Sequence, residues 1–209
     1  MKTDCIPFQD SFCPIQLDLL KEVGNIGAGN AAASLSSLLN IPIAMSVPSI
    51  QIAGFDEVME SAGGAAEEMT IISLRIEGEA PGSMFFALAP NRAELFLTLL
   101  LGDLSNTLDL RQSALEEIGN IIAGSYLSSL ADFTRLELFP SVPVVINDMV
   151  GAVLSTGLIE LSKHSDQALV IETVLIVDQA EQVHGVFLLF PDPLFYDALF
   201  RSEGVTSEG

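Results

Sequence analysis

The sequence predicts an α/β protein of the α+β type, with an antiparallel sheet of about six strands and helices packed on it. Three observations lead there. A helical segment near the N-terminus returns 95 residues later. In both halves it is followed by β-rich runs. Those runs are joined by tight turns, which make consecutive strands antiparallel neighbours.

The repeat is read directly. Asp18–Leu35, DLLKEVGNIGAGNAAASL, aligns without a gap on Ser113–Leu130, SALEEIGNIIAGSYLSSL, and nine of 18 positions are identical. The identities include Leu20/Leu115, Glu22/Glu117, Gly24/Gly119, Asn25/Asn120, Ile26/Ile121 and Gly29/Gly124. The expected organisation is therefore one domain of two repeats, residues 14–102 and 109–201, related by a pseudo-twofold and joined around Leu104–Arg111.

The remaining elements follow in order. In the first half IPIAMSVPSIQI (41–52) reads as strand. The acidic, glycine-containing stretch Ala53–Ala66 reads as a loop with a helical turn. Residues 68–100 hold two β-rich runs around the turn Glu79-Ala80-Pro81-Gly82, then Pro90 at the mouth of a short helix. In the second half the corresponding parts are 140–150 and 167–200, with a turn at Asp178–Glu181 and a proline, Pro191, opening a short helix. The polar tail from Arg201 to Gly209 is expected to fray.

On a helix of 100° per residue, Asp18, Glu22, Asn25 and Gly29 fall within about 60° of one another. The second stripe is Ser113, Glu117, Asn120 and Gly124. The opposite face carries Leu20, Val23/Ile118, Gly24/Gly119, Ala28/Ala123 and Leu35/Leu130, and is core. Each glycine in a helix costs roughly 1 kcal/mol against alanine, so its position has to compensate. Gly24 and Gly119 lie toward the core, where a missing side chain permits close approach. Gly29 and Gly124 lie on the polar stripe, where they clear room for another molecule to reach Glu and Asn. Gly27 has no counterpart and is assigned no shared role.

Composition bounds the function. Of 209 residues 49% are apolar, and eight basic residues face 28 acidic ones, a net charge of −20. A nucleic-acid binder needs a basic footprint, and anionic membranes would be repelled. Cys5 and Cys13 form no disulfide framework, which fits a reducing compartment. With no run of about 18 apolar residues and no signal-type leader, a soluble, cytoplasmic protein is expected. His164 and His184 have no partner at ligand spacing, so no metal site is expected.

A Glu/Asn pair has limited chemistry. A carboxamide carries both donor and acceptor and can hold a water at a fixed angle. Phosphoryl transfer needs little beyond positioning and charge stabilisation. A carboxylate would repel bare phosphate and makes more sense as an anchor for a lysine or arginine of a phosphorylated partner. Such a surface is half an active site, completed by the other protein.

The duplicated pattern Asp/Ser-x-x-x-Glu-x-x-Asn resembles that of the CheC/CheX/FliY phosphatases of bacterial chemotaxis. The likeness extends over nearly the whole chain, through EVGNIGAGNAA, GSMFF, IAGSYLSSLADF and PSVPVVINDMVGAVLS. It implies hydrolysis of the aspartyl phosphate of the response regulator CheY. Asn25 and Asn120 would orient the attacking water, and Glu22 and Glu117 would pair with the regulator's active-site lysine. No cofactor would belong to this chain, and Mg²⁺ would be carried by the regulator. Asp18, Gly29, Ser113 and Gly124 would form the docking surface. The resemblance also implies a second partner, the receptor deamidase CheD, with its contact at Asn147–Ser155 and at Asp148 in particular. Two rivals remain at this stage. One is a non-catalytic CheY-binding adaptor of the same fold. The other is a dinucleotide-binding enzyme, since GAGNAA (27–32) fits G-x-G-x-x-A.

Overall fold

A computed structural model describes residues 14–102, 107–161, 167–177 and 181–191. The elements in order are α1 (Pro14–Leu39), β1 (Ile43–Ser46), β2 (Ile50–Gly54), α2 (Phe55–Ser61), β3 (Glu68–Gly78), β4 (Gly82–Leu88), α3 (Pro90–Leu101), α4 (Leu108–Thr134), β5 (Leu138–Pro140), β6 (Val144–Met149), α5 (Val150–Leu161), β7 (Gln167–Val177) and β8 (Glu181–Pro191).

All strand pairings are antiparallel, in the order β1-β7-β8-β4-β3-β5, with β2 also on β7 and β6 also on β3. The eight strands among the described residues therefore occupy six lanes, because each outer lane is broken into two pieces. The breaks fall at Val47–Ser49 and Ser141–Pro143, and each contains a proline, which has no N–H for a ladder. Every partner of β1 and β2 lies on β7, and every partner of β5 and β6 on β3. Each half thus supplies the outer lane beside the other half's long strand.

The sheet is covered on both faces. One core joins Leu20, Val23, Ala28 and Leu35 of α1, Phe96 and Leu97 of α3, and Leu115, Ile118, Ile122 and Leu127 of α4 to Ile72, Leu74, Met84, Phe86 and Phe187 of the sheet. The other sets Val58 of α2 and Val150, Val153 and Leu154 of α5 on Ile71, Phe85, Val170 and Leu188. Buried on both faces, β4 reads as a continuous apolar run from Met84 to Leu88. Pro90 opens α3, as expected from its place in the sequence. Asn40 and Arg135, 95 residues apart, take positive φ after the two long helices. The Arg135 N–H closes α4 on the Ala131 carbonyl at 2.8 Å.

Two expectations need correction. The Ala53–Ala66 segment contains a regular helix of seven residues, α2, longer than the single turn expected, and the Glu57 carboxylate accepts the Gly54 N–H at its start at 3.0 Å. The stretch after β6 is also a helix, α5, where the sequence reading assigned no element between 150 and 167. Both were hidden because a short helix lying on a sheet has only a brief apolar stripe. Pro191 ends β8. The helix expected after it and the turn before Glu181 fall wholly or partly outside the described residues, as do Cys5, Cys13, His164 and the tail; of the junction expected around Leu104–Arg111, residues 104–106 lie outside them and Leu108–Arg111 form the first turn of α4 instead.

Candidate active site

The two motif helices lie side by side on one face of the sheet. A Cβ at Gly27 would sit 3.0 Å from the Tyr126 Cα, so this glycine is what lets α1 approach α4. The Tyr126 ring stacks on Phe187 of β8, with centroids 4.8 Å apart at 16°. Gly27 thus has the packing role that the sequence comparison could not assign, since its counterpart is Ile122. The Tyr126 hydroxyl is buried beside Thr173 without a hydrogen-bond partner of good geometry among the described residues. Burial pushes its pKa up to about 12, against a smaller opposing effect of the Thr173 hydroxyl.

The core-facing glycines differ from one another. A Cβ on Gly119 would overlap Ile72 Cγ2 of β3, so α4 needs glycine there. A Cβ on Gly24 would lie 3.5 Å from Ile50 Cδ1 and 3.6 Å from Val47 Cγ2, which is ordinary contact. The expected close approach is therefore real at Gly119 and absent at Gly24. On the polar stripes, a Cβ at Gly29 or Gly124 would meet nothing within 4 Å.

Asp18, Glu22 and Gly29 are exposed on α1, and Ser113, Glu117 and Asn120 on α4, with Gly124 half-buried. Apart from Gly124, where a Cβ would still meet nothing, the stripes are open as the helical periodicity predicted, with an exception at Asn25. Asn25 is half-buried, and its carboxamide is occupied at both ends. Its Nδ2 donates to the Lys21 carbonyl at 2.9 Å, and its Oδ1 accepts the Val47 N–H at 3.0 Å. Asn120 makes no side-chain hydrogen bond among the described residues. The two motifs, alike in sequence, present their asparagines differently.

Sequence reasoning missed two neighbours of the stripes. Ile26, next to Asn25, is 52% exposed, a large apolar side chain on the motif helix. Val47 holds Asn25 through its backbone. The signal for Val47 was available, since Ser46-Val47-Pro48 recurs as Ser141-Val142-Pro143 at the helices' own offset of 95 residues.

At the base of α4, Arg111 donates two hydrogen bonds to Glu94 of α3, at 3.0 and 2.6 Å. These bonds hold the Glu94 carboxyl below its usual range and raise the Arg111 pKa, with partial desolvation acting against both. The pair is solvent-facing, so its net contribution is about 0–1 kcal/mol. Asp148 is exposed at the end of β6, where its Oδ1 accepts the Met149 N–H at 2.7 Å and the chain turns into α5.

No group of three or more His, Cys, Asp or Glu among the described residues could hold a metal ion. None of the described helices is long and apolar enough to cross a membrane. GAGNAA lies wholly inside α1. A dinucleotide fingerprint needs those glycines in the turn before a helix N-terminus, where N–H groups are unpaired, so that rival is discarded.

The profile of the CheC-like family matches residues 15–52 and 110–146. Each window runs from a motif helix through its Ser-Val-Pro turn. The curated CheY-P phosphatase CheC of Bacillus subtilis (strain 168) is 43% identical over 199 residues, covering 91% of this chain and 95% of its own. The chain belongs to the CheC-like family. Solved structures agree on the fold of this CheC-like protein. FliY of Thermotoga maritima superposes with a TM-score of 0.75 at 19% identity, covering 91% of this chain and 98% of that one. The CheX–CheY–BeF₃–Mg²⁺ complex of Borrelia burgdorferi gives a TM-score of 0.50 at 14% identity, covering 79% of this chain and 96% of that one.

Proposed function

We infer that this protein is a phosphatase that hydrolyses the aspartyl phosphate of the chemotaxis response regulator CheY. The observation that carries the reading is its 43% identity, over nearly the full length of both chains, to a CheY-P phosphatase. The exposed Glu117 and Asn120 on α4 supply the chemistry. Glu117 pairs with a lysine of the regulator and brings the helix onto its active site. Asn120 uses one N–H and one lone pair to hold a water in line with phosphorus. The Mg²⁺ belongs to the regulator, where it neutralises charge on the phosphoryl oxygens. Asp18 and Ser113 flank the docking surface, and Gly29 and Gly124 keep it free of side chains. Glu22 and Asn25 form the corresponding first site.

The second partner is CheD, with Asp148 as its contact at the β6–α5 corner. The protein works in the cytoplasm, where the regulator is phosphorylated. The test is the decay of phosphorylated CheY with Mg²⁺, with and without this protein. Asn120→Ala is expected to remove most of the acceleration while the variant still binds CheY. Acceleration untouched in the Asn25→Ala, Asn120→Ala double variant would keep the activity and discard these residues. CheY binding without any acceleration, with or without CheD, would favour the adaptor reading.

A further inference from the structure

Copies of one motif are held in two different ways in this chain. Ser46-Val47-Pro48 and Ser141-Val142-Pro143 each sit at the break in an outer lane of the sheet. In the first half the break folds onto the helix. Val47 is 2% exposed, its side chain faces Gly24, and its N–H donates to Asn25 Oδ1 at 3.0 Å. The same carboxamide is drawn back toward the helix N-terminus by its bond to the Lys21 carbonyl. In the second half Val142 is 81% exposed, and Asn120 is exposed with no side-chain hydrogen bond among the described residues. Gly119 is filled by Ile72 of β3, whereas Gly24 faces Val47 of the turn and Ile50 of β2.

We infer that the Val47–Ser49 turn is a latch on the first motif, and that Asn25 acts only after Val47 releases it. The two bonds leave one N–H and one lone pair of the carboxamide free but pin it against its own chain, so it does not extend toward a phosphoryl group on another protein. The second half shows the released arrangement with the same Ser-Val-Pro sequence. Glu22 stays exposed while the latch is shut, so the first motif keeps its docking group and withholds its water-orienting group. What opens is the Asn25–Val47 hydrogen bond alone, because Val47 is packed in the core and Ser49 is tied to Glu172 through its carbonyl and its hydroxyl. A single net hydrogen bond shifts such an equilibrium by roughly fivefold. A partner that binds the open form with modestly higher affinity can therefore open it. The catalytic consequence rests on the phosphatase reading, but the latch itself does not.

The test has two arms. The first is hydrogen exchange at the Val47 amide, which needs no activity. Protection is expected to fall roughly fivefold in Asn25→Ala; equal protection in the wild type and the variant would overturn the latch. The second measures decay of phosphorylated CheY in an Asn120→Ala background, where only the first motif acts. Val47→Pro deletes the donor, and Ser46, already in a strand, tolerates a following proline. The residual activity is expected to rise roughly fivefold. Val47→Ala, which keeps the N–H and loosens the contact with Gly24, should give a smaller rise and serves if the proline variant does not fold. Lower or unchanged activity in folded variants would mean that Val47 positions Asn25 productively, and the inference would fail. A wild-type protein with no activity would instead sink the phosphatase reading, with the exchange arm still deciding the latch.

Discussion

Asn25→Ala and Asn120→Ala change equivalent residues, yet they should move stability in opposite directions. Removing the Asn25 carboxamide leaves the Val47 N–H without its partner in a residue that is 2% exposed. An orphaned buried donor costs about 1–3 kcal/mol. The Lys21 carbonyl keeps its ordinary helical partner, the backbone N–H of residue 25, so that loss is cheap. Alanine returns up to about 0.7 kcal/mol of helix propensity. Asn25→Ala should therefore lose roughly 1–2 kcal/mol. Asn120 is exposed and unpaired among the described residues, so Asn120→Ala has only the propensity gain. A gap near 2 kcal/mol corresponds to roughly 4–8 °C in Tm for a chain of this size. Urea denaturation and scanning calorimetry on both variants would measure it. Equal stabilities would refute the claim that the Val47 bond holds the first motif, whatever the effect on activity.

The glycines give a second pair of opposites. Gly24→Ala should stabilise by about 0.5–1 kcal/mol, because its Cβ finds ordinary contacts. Gly119→Ala should destabilise, because Ile72 must move and overpacking costs about 1–3 kcal/mol; denaturant midpoints decide both signs. Gly124→Leu should leave the fold intact, since a Cβ there meets nothing within 4 Å. It should still slow CheY dephosphorylation, and normal activity in that assay would remove Gly124 from the docking surface. Tyr126 makes stability depend on pH at the alkaline end. Its folded pKa lies above the ordinary value of 10.0, at about 12, so the contribution is fully present below pH 10 and lost as pH rises toward 12. The loss is of order 3 kcal/mol by pH 12 and about half of that at pH 11. It should vanish in Tyr126→Phe, as urea unfolding at pH 8 and pH 11 would report.

Much of this protein was legible in its sequence. The 3.6-residue periodicity placed Glu22, Glu117 and Asn120 on exposed faces and Leu20, Ile118 and Leu130 in the core, because helical geometry alone fixes which residues share a side. The β-rich runs marked the sheet, and Pro90 marked the start of α3. Local sequence could not show that α2 and α5 are regular helices, since their order comes from the sheet face beneath them. It could not rank Gly24 against Gly119 either, because what a missing Cβ permits depends on whether Ile72 or Val47 stands opposite.

The same limit applies to the site. Sequence by itself determined that there are two Glu-x-x-Asn motifs and that each lies on an accessible helix face. Only the tertiary structure decided that Asn25 is tied to a turn 22 residues further along the chain while Asn120 is open. Helical phase is set by bonds within four residues, so it is written locally. A hydrogen bond between a helix and the break in an outer sheet lane depends on how the helix seats on that sheet, and the two seats differ although their sequences nearly repeat.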